Sequence, residues 1–155
     1  MKKIVTLILA VVTSAVSLFA QSGRCGDNLT WSLYNDTLTI SGNGDMTSTG
    51  WYSYKKSILS VVIRPGVTNI GWHAFMDCSG LTSVTIPNSV TSIGEKAFYR
   101  CESLTSITCK ASTPPTCGSS VFDGVDQSLV IYVPEGSVQK YKNKPQWSQF
   151  KIMTK

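Results

Sequence analysis

Residues 58–80 read ILSVVIRPGVTNIGWHAFMDCSG, and residues 81–103 read LTSVTIPNSVTSIGEKAFYRCES. Aligned without gaps, they agree at ten of 23 positions, where average residue usage gives roughly one or two by chance. The agreements fall almost entirely on apolar or small residues, among them Val61/Val84, Ile63/Ile86, Val67/Val90, Ile70/Ile93, Gly71/Gly94, Ala74/Ala97, Phe75/Phe98 and Cys78/Cys101. The disagreements are mostly polar. A coil that buries its apolar side only against a similar coil fixes its inward positions and frees its outward ones, so this division predicts a stacked repeat.

A third, degraded copy starts at Leu104, where Leu104, Ile107 and Cys109 repeat the spacing of Leu81, Val84 and Ile86. It departs at Thr113-Pro114-Pro115-Thr116, and Phe122 arrives 24 rather than 23 residues after Phe98. A last strand, Ile131-Tyr132-Val133-Pro134, matches Val84-Thr85-Ile86-Pro87. Within each coil, Val84-Thr85-Ile86 alternates as a half-buried strand does, and Val90 to Ile93 forms a second short extended segment. Gly94 permits a turn, and Ala97-Phe98 drops a ring inward from one turn of tight helix.

The fold class expected is therefore mainly β: a short solenoid of parallel strands with short helical turns. Residues 58–133 form the solenoid. Residues 21–57 form an N-terminal cap hairpin and linker, from the alternation of Leu29, Trp31 and Leu33 and of Leu38 and Ile40 about Asn35-Asp36. Residues 134–155 form a C-terminal cap, with Ser137 capping a short helix, Pro145 stopping it, and Trp147 and Phe150 packing on the last coil.

Residues 1–20 read as a signal peptide: Lys2 and Lys3, an apolar stretch from Ile4 to Val12, then small residues. Cleavage after Ala20 and cleavage near Thr13-Ser14-Ala15 both remain open, as does a retained anchor. Export implies a secreted or cell-surface location. Removal of this segment leaves 12 cations against nine acids, a net +3. With Lys140, Lys142, Lys144, Lys151 and Lys155 gathered near the end, that excess reads either as a solvated cap or as a face for anionic glycans. Export makes nucleic acid an improbable partner.

The chemistry-bearing residues are sparse. The chain has one histidine, His73, which aligns with Lys96 and is therefore expected to face solvent. Asp77 aligns with Arg100 and Glu95 with Trp72, so no carboxylate pair is predicted for acid/base work. Five cysteines lack a closely spaced pair suited to zinc. Cys78 and Cys101, one coil apart with parallel Cβ vectors, are expected as buried thiols, whereas Cys109 and Cys117 either bridge their loop or stay free. No catalytic, metal or cofactor residues are assigned.

The run Leu81 to Gly94, followed by Ala97-Phe98 and Cys101, resembles the leucine-rich repeat of the BspA type. The flanks Cys25 to Trp31, Ile40 to Met46 and Tyr132 to Ser137 are similar to that family's ends. The resemblance implies an exported, non-enzymatic surface adhesin whose partners are host or extracellular-matrix proteins. The residues themselves offer an outward column of Val62, Thr85, Thr108 and Tyr132, joined by Ser60, Ser83, Ser106, Thr82 and Thr105 and bordered by Arg64 and Lys110. Trp72 is the anomalous aromatic, read either as a binding hot spot or as a contact with the front cap. These give Val62, Arg64, Trp72, Thr85, Thr108, Lys110 and Tyr132 as the candidate partner-binding residues. The second reading is a glycan-binding module using Trp72, Tyr132 or the terminal lysines.

Overall fold

A computed structural model describes residues 20–155; the segment read as a signal peptide lies outside the described residues except for Ala20. The strands are β1 (Gln21–Gly26), β2 (Leu29–Tyr34), β3 (Thr37–Gly42), β4 (Ser60–Ile63), β5 (Asn69–Ile70), β6 (Ser83–Ile86), β7 (Ser92–Ile93), β8 (Ser106–Cys109), β9 (Thr116–Cys117), β10 (Val130–Val133) and β11 (Lys151–Thr154). Two short helices, α1 (Val138–Lys142) and α2 (Pro145–Ser148), precede β11. One sheet runs β1-β2-β3-β4-β6-β8-β10-β11 and a smaller one runs β5-β7-β9.

The 23-residue offset sets the register. Val61 lies beside Val84 and Val84 beside Ile107, all in parallel strands. The same offset joins β3 to β4, with Leu38 beside Val61 and Ile40 beside Ile63. The second half of the front hairpin thus continues the coil register forward to residue 37. The added residue of the third coil falls between Cys109 and Thr116, because Ile86 pairs with Cys109 at an offset of 23 and Ser92 with Thr116 at 24. The Pro114-Pro115 loop absorbs it.

Alternation along each strand puts every second side chain inside, where an aromatic stack fills the core. Trp51, Phe75, Phe98 and Phe122 lie face to face, with centroid separations of 5.7, 5.3 and 5.7 Å and interplanar angles of 18°, 18° and 3°. Edge-on rings close both ends. Trp31 meets Trp51 at 77°, and Trp147 and Phe150 meet Phe122 at 62° and 82°.

The helical turns take a particular form. Ala97, Tyr99 and Cys101 donate to carbonyls three residues back, as in a tight helix, but Lys96, Phe98 and Arg100 donate to Ser119, Val121 and Asp123 in the next coil. Lys96 and Arg100 have φ of +53° and +56°. Left-handed residues at this spacing swing alternate amides outward, so the turn becomes another inter-coil ladder. Gly94 serves a purpose other than turn freedom. A Cβ there would sit 2.5 Å from the Trp72 amide nitrogen, and one at Gly118 would sit 2.6 Å from that of Glu95. The coil in front leaves no room for a side chain at either glycine.

Both caps differ in detail from the sequence reading. The front cap has an added strand, β1, antiparallel to β2. Ser137 is buried and its side chain makes no capping bond; its backbone carbonyl accepts the Tyr141 amide instead. Pro145 opens α2 at its first turn rather than only ending α1, a position where the missing N–H is no loss. The chain then adds β11 beside β10. Polar cap atoms reach coil carbonyls: Trp51 Nε1 donates to Ala74 O at 2.9 Å, Trp147 Nε1 to Pro115 O at 3.1 Å and Tyr141 OH to Ala111 O at 2.7 Å.

Removing the middle ring, Phe98→Ala, is expected to cost about 3–5 kcal/mol by chemical denaturation. Gly94→Ala is expected to cost about 1–3 kcal/mol by overpacking against the Trp72 backbone, although alanine usually favours the folded state elsewhere.

Candidate functional site

The outward side of the large sheet is one continuous surface. The strand registers place Ser22, Ser32, Thr39, Val62, Thr85, Thr108, Tyr132 and Met153 in a single row crossing all eight strands. Val62, Thr85, Thr108 and Tyr132 are therefore neighbours, as the repeat alignment requires. Lys155 Nζ lies 6.0 Å from the Tyr132 ring centroid and 3.5 Å from Thr108 Oγ1. Arg64 and Lys110 follow β4 and β8 directly, both exposed, with their amides donating to Ile40 and Ile86. Buried Pro87 separates them at the equivalent position.

The row's extension through Ser22, Ser32, Thr39 and Met153 was missed by comparison of coils alone. Thr39 precedes Val62 by the same 23 residues, so the repeat spacing carried a signal for it. Ser22 and Ser32 depend on antiparallel pairing, which no repeat spacing records. A shallow hollow of about 440 Å³ marks this front end, with Ser22, Arg24, Thr30, Ser32, Thr39 and Ser41 around it.

Two of the outward hydroxyls serve the scaffold instead. Thr82 Oγ1 donates to Leu59 O at 2.9 Å, and Thr105 Oγ1 donates to Thr82 O at 3.3 Å. These side chains tie each coil to the one before it. Ser83 Oγ likewise donates to Ser60 Oγ at 3.1 Å.

The eight strands of the large sheet contain Arg24 and Lys151 and no aspartate or glutamate; all nine carboxylates lie in turns and loops. With Arg64, Lys110 and Lys155 beside it, the row offers hydrogen-bond donors and positive charge with no acid in the strands themselves, the nearest in sequence being Asp27 and Asp36 in the turns of the front hairpins. Field lines from such a surface favour an acidic partner.

Trp72 stands apart from this surface. It follows β5 of the smaller sheet and is 68% exposed, so it is not packed away against the front cap. His73 beside it corrects the expectation of a solvent-facing ring. It is half-buried, its ring centroid is 4.3 Å from that of Trp72, and its Nε2 is buried without a protein partner. In the next coil the equivalent pair, Glu95 and Lys96, form an ion pair at 3.3 Å.

All five cysteines are free thiols. Cys101 Sγ donates to Phe75 O at 3.1 Å, and Cys109 Sγ lies 3.1 Å from the Tyr141 hydroxyl oxygen, whose own proton goes to Ala111 O. Burial pushes the Cys78 and Cys117 thiols up to about 12, disfavouring the thiolate that nucleophilic chemistry needs. Among the described residues, no three metal-ligating side chains cluster, and no helix is long and apolar enough to cross a membrane.

Residues 47–145 match the family described as BspA type Leucine rich repeat region, in six copies. The chain belongs to that family. Among solved structures, a leucine-rich repeat protein from Eubacterium ventriosum is similar at 24% identity and a TM-score of 0.52, over 75% of this chain and 38% of that one. The chain thus spans well under half the length of that relative, and the likeness speaks for the fold. The comparison with curated proteins gave no match. Leucine-rich-repeat regions of this type are generally non-enzymatic protein-interaction modules, commonly borne by surface or secreted proteins.

The buried thiols give stability a sign with pH. Above the ordinary value of 9.0 the unfolded chain releases thiol protons that Cys78 retains when folded. The unfolded state then binds fewer protons, so stability falls from pH 9 towards about 12. Urea midpoints are expected to fall over this window, with a shallower fall in Cys78→Ala than in the parent chain.

Proposed function

We propose that the outward face of the eight-stranded sheet docks a protein partner outside the cell, the finer form of this role being adhesion to a host or extracellular-matrix protein. The observation that carries the reading is the row from Ser22 to Met153: eight registered strands presenting six hydroxyls with Val62 and Met153, flanking cations and no carboxylate in the row. A surface fixed by sheet hydrogen bonds loses little conformational freedom on binding, so more of the contact energy remains as affinity. Arg64, Lys110 and Lys155 steer and orient an acidic segment, while Tyr132 supplies an amphipathic anchor.

Family membership supports an extracellular setting, as does the export-like pattern of residues 1–20. The chain acts by binding. Its thiols are held protonated by burial and its carboxylates stand singly in separate turns, an arrangement suited to a scaffold.

The test is surface plasmon resonance of residues 21–155 against purified extracellular-matrix proteins. Thr85→Glu with Thr108→Glu inserts acid into the row without touching the core. It is expected to weaken binding by about tenfold or more while leaving the circular dichroism spectrum unchanged. Added salt is expected to weaken the parent complex and to affect the double variant less. Equal affinity in parent and variant would overturn the sheet as the docking face.

A further inference from the structure

A second site opens where the repeat ladder fails to continue. Between later coils, His73, Phe75 and Asp77 donate their amides to Glu95, Ala97 and Tyr99. In front of them the chain behaves differently, because Thr47 and Ser48 turn away and give their amides to Cys25 O. Trp51 replaces one rung by donating its indole N–H to Ala74 O. Nothing replaces the rung at Trp72, and a pocket of about 380 Å³ remains between the Met46–Thr49 segment with Tyr52 and the turn from Gly71 to Met76.

The lining has a definite chemistry. Met46 and Met76 give it apolar walls, and Trp72 and Tyr52, 68% and 58% exposed, present aromatic rings. Thr47, Ser48 and Thr49 place hydroxyls along it that make no hydrogen bond within the described protein. His73 also lines it, its Nε2 turned away from solvent and without a partner. No carboxylate, lysine or arginine lines the pocket. The left-handed backbone of His73, φ +54°, is unrelated to this site, since Lys96 and Ser120 share it at +53°.

We propose that this pocket binds one ring of a neutral glycan. A pyranose has a face of C–H groups that meets the negative face of an indole, and a rim of hydroxyls that both donate and accept. Trp72 supplies the platform and Thr47 to Thr49 supply partners for the rim. An apolar peptide side chain would fill the same walls but leave the hydroxyls it covers unpaired, at a cost for each. A charged ligand would lose hydration with no free counter-charge in the lining, since Lys55, 4.4 Å from the Tyr52 ring centroid, is already paired with Asp77 at 3.6 Å. The volume falls in the range of small-ligand sites.

The repeat itself supplies a variant that erases the site and keeps the fold. Trp72→Glu with His73→Lys installs the Glu95-Lys96 pair that the next coil already carries at the same backbone geometry. Residues 21–155 are titrated with neutral gluco-, manno- and galacto-configured hexasaccharides while tryptophan emission and acrylamide quenching are recorded. Of the four tryptophans, Trp31, Trp51 and Trp147 are buried, so the quenchable signal reports Trp72. Saturable protection of that signal by at least one sugar is expected, and calorimetry is expected to show affinity weakened about tenfold or more in the double variant. The Thr85→Glu, Thr108→Glu chain is expected to bind sugar as the parent does. Failure of every sugar to bind, affinity unchanged in the double variant, or protection of Trp72 by apolar peptides alone would each overturn the proposal.

Discussion

Everything in this molecule follows from holding successive coils one strand spacing apart, about 4.8 Å, over the whole cross-section. That spacing is too small for a side chain at Gly94 or Gly118, whose Cβ positions fall on the backbone of the coil in front. It is suited to flat rings, so Phe75, Phe98 and Phe122 stack, with Trp51 as a fourth member. It also lets a threonine hydroxyl reach the previous coil's carbonyl, as at Thr82, Thr91, Thr105 and Thr116. A repeat of this kind has no interior end, so the caps must supply what a neighbouring coil would. At the back Trp147 covers Phe122 edge-on and donates to Pro115 O while Tyr141 donates to Ala111 O; at the front Trp51 extends the stack and donates to Ala74 O, with Trp31 covering it edge-on.

The parts of the fold legible in the sequence were those that one coil repeats from another. The apolar residues among the ten shared positions marked the inside, and the structure buries them. The hidden parts were those that break the comparison. Trp51 is a rung of the stack, yet a tryptophan 24 residues before Phe75 in an otherwise unlike segment gives little sign of it. Strands β1 and β11 bury Cys25 and Ile152 but match no coil. His73 shows the opposite failure. Its alignment with Lys96 implied an exposed ring, but both positions are half-buried, so acceptance of a lysine did not mark the position as open to solvent.

The same constraint separates two kinds of surface. Where the coils repeat without interruption, outward positions vary freely while their spacing stays fixed, which gives a broad face of registered hydroxyls bordered by Arg64 and Lys110. Where the repeat meets its cap, the ladder lapses and a concave pocket appears beside Trp72. The first arrangement suits an extended partner and the second a compact ligand. Both are by-products of one architecture, the regular part and its termination.

The most direct test of the in-register stack is a set of aromatic nuclear Overhauser contacts in a chain with labelled phenylalanines. Ring separations of 5.3 Å between Phe75 and Phe98 and 5.7 Å between Phe98 and Phe122 predict cross-peaks for both pairs, and none for Phe75 with Phe122 two coils apart. Absence of the two adjacent contacts in the folded protein, or a contact between the outer rings, would contradict the stack and the face built upon it.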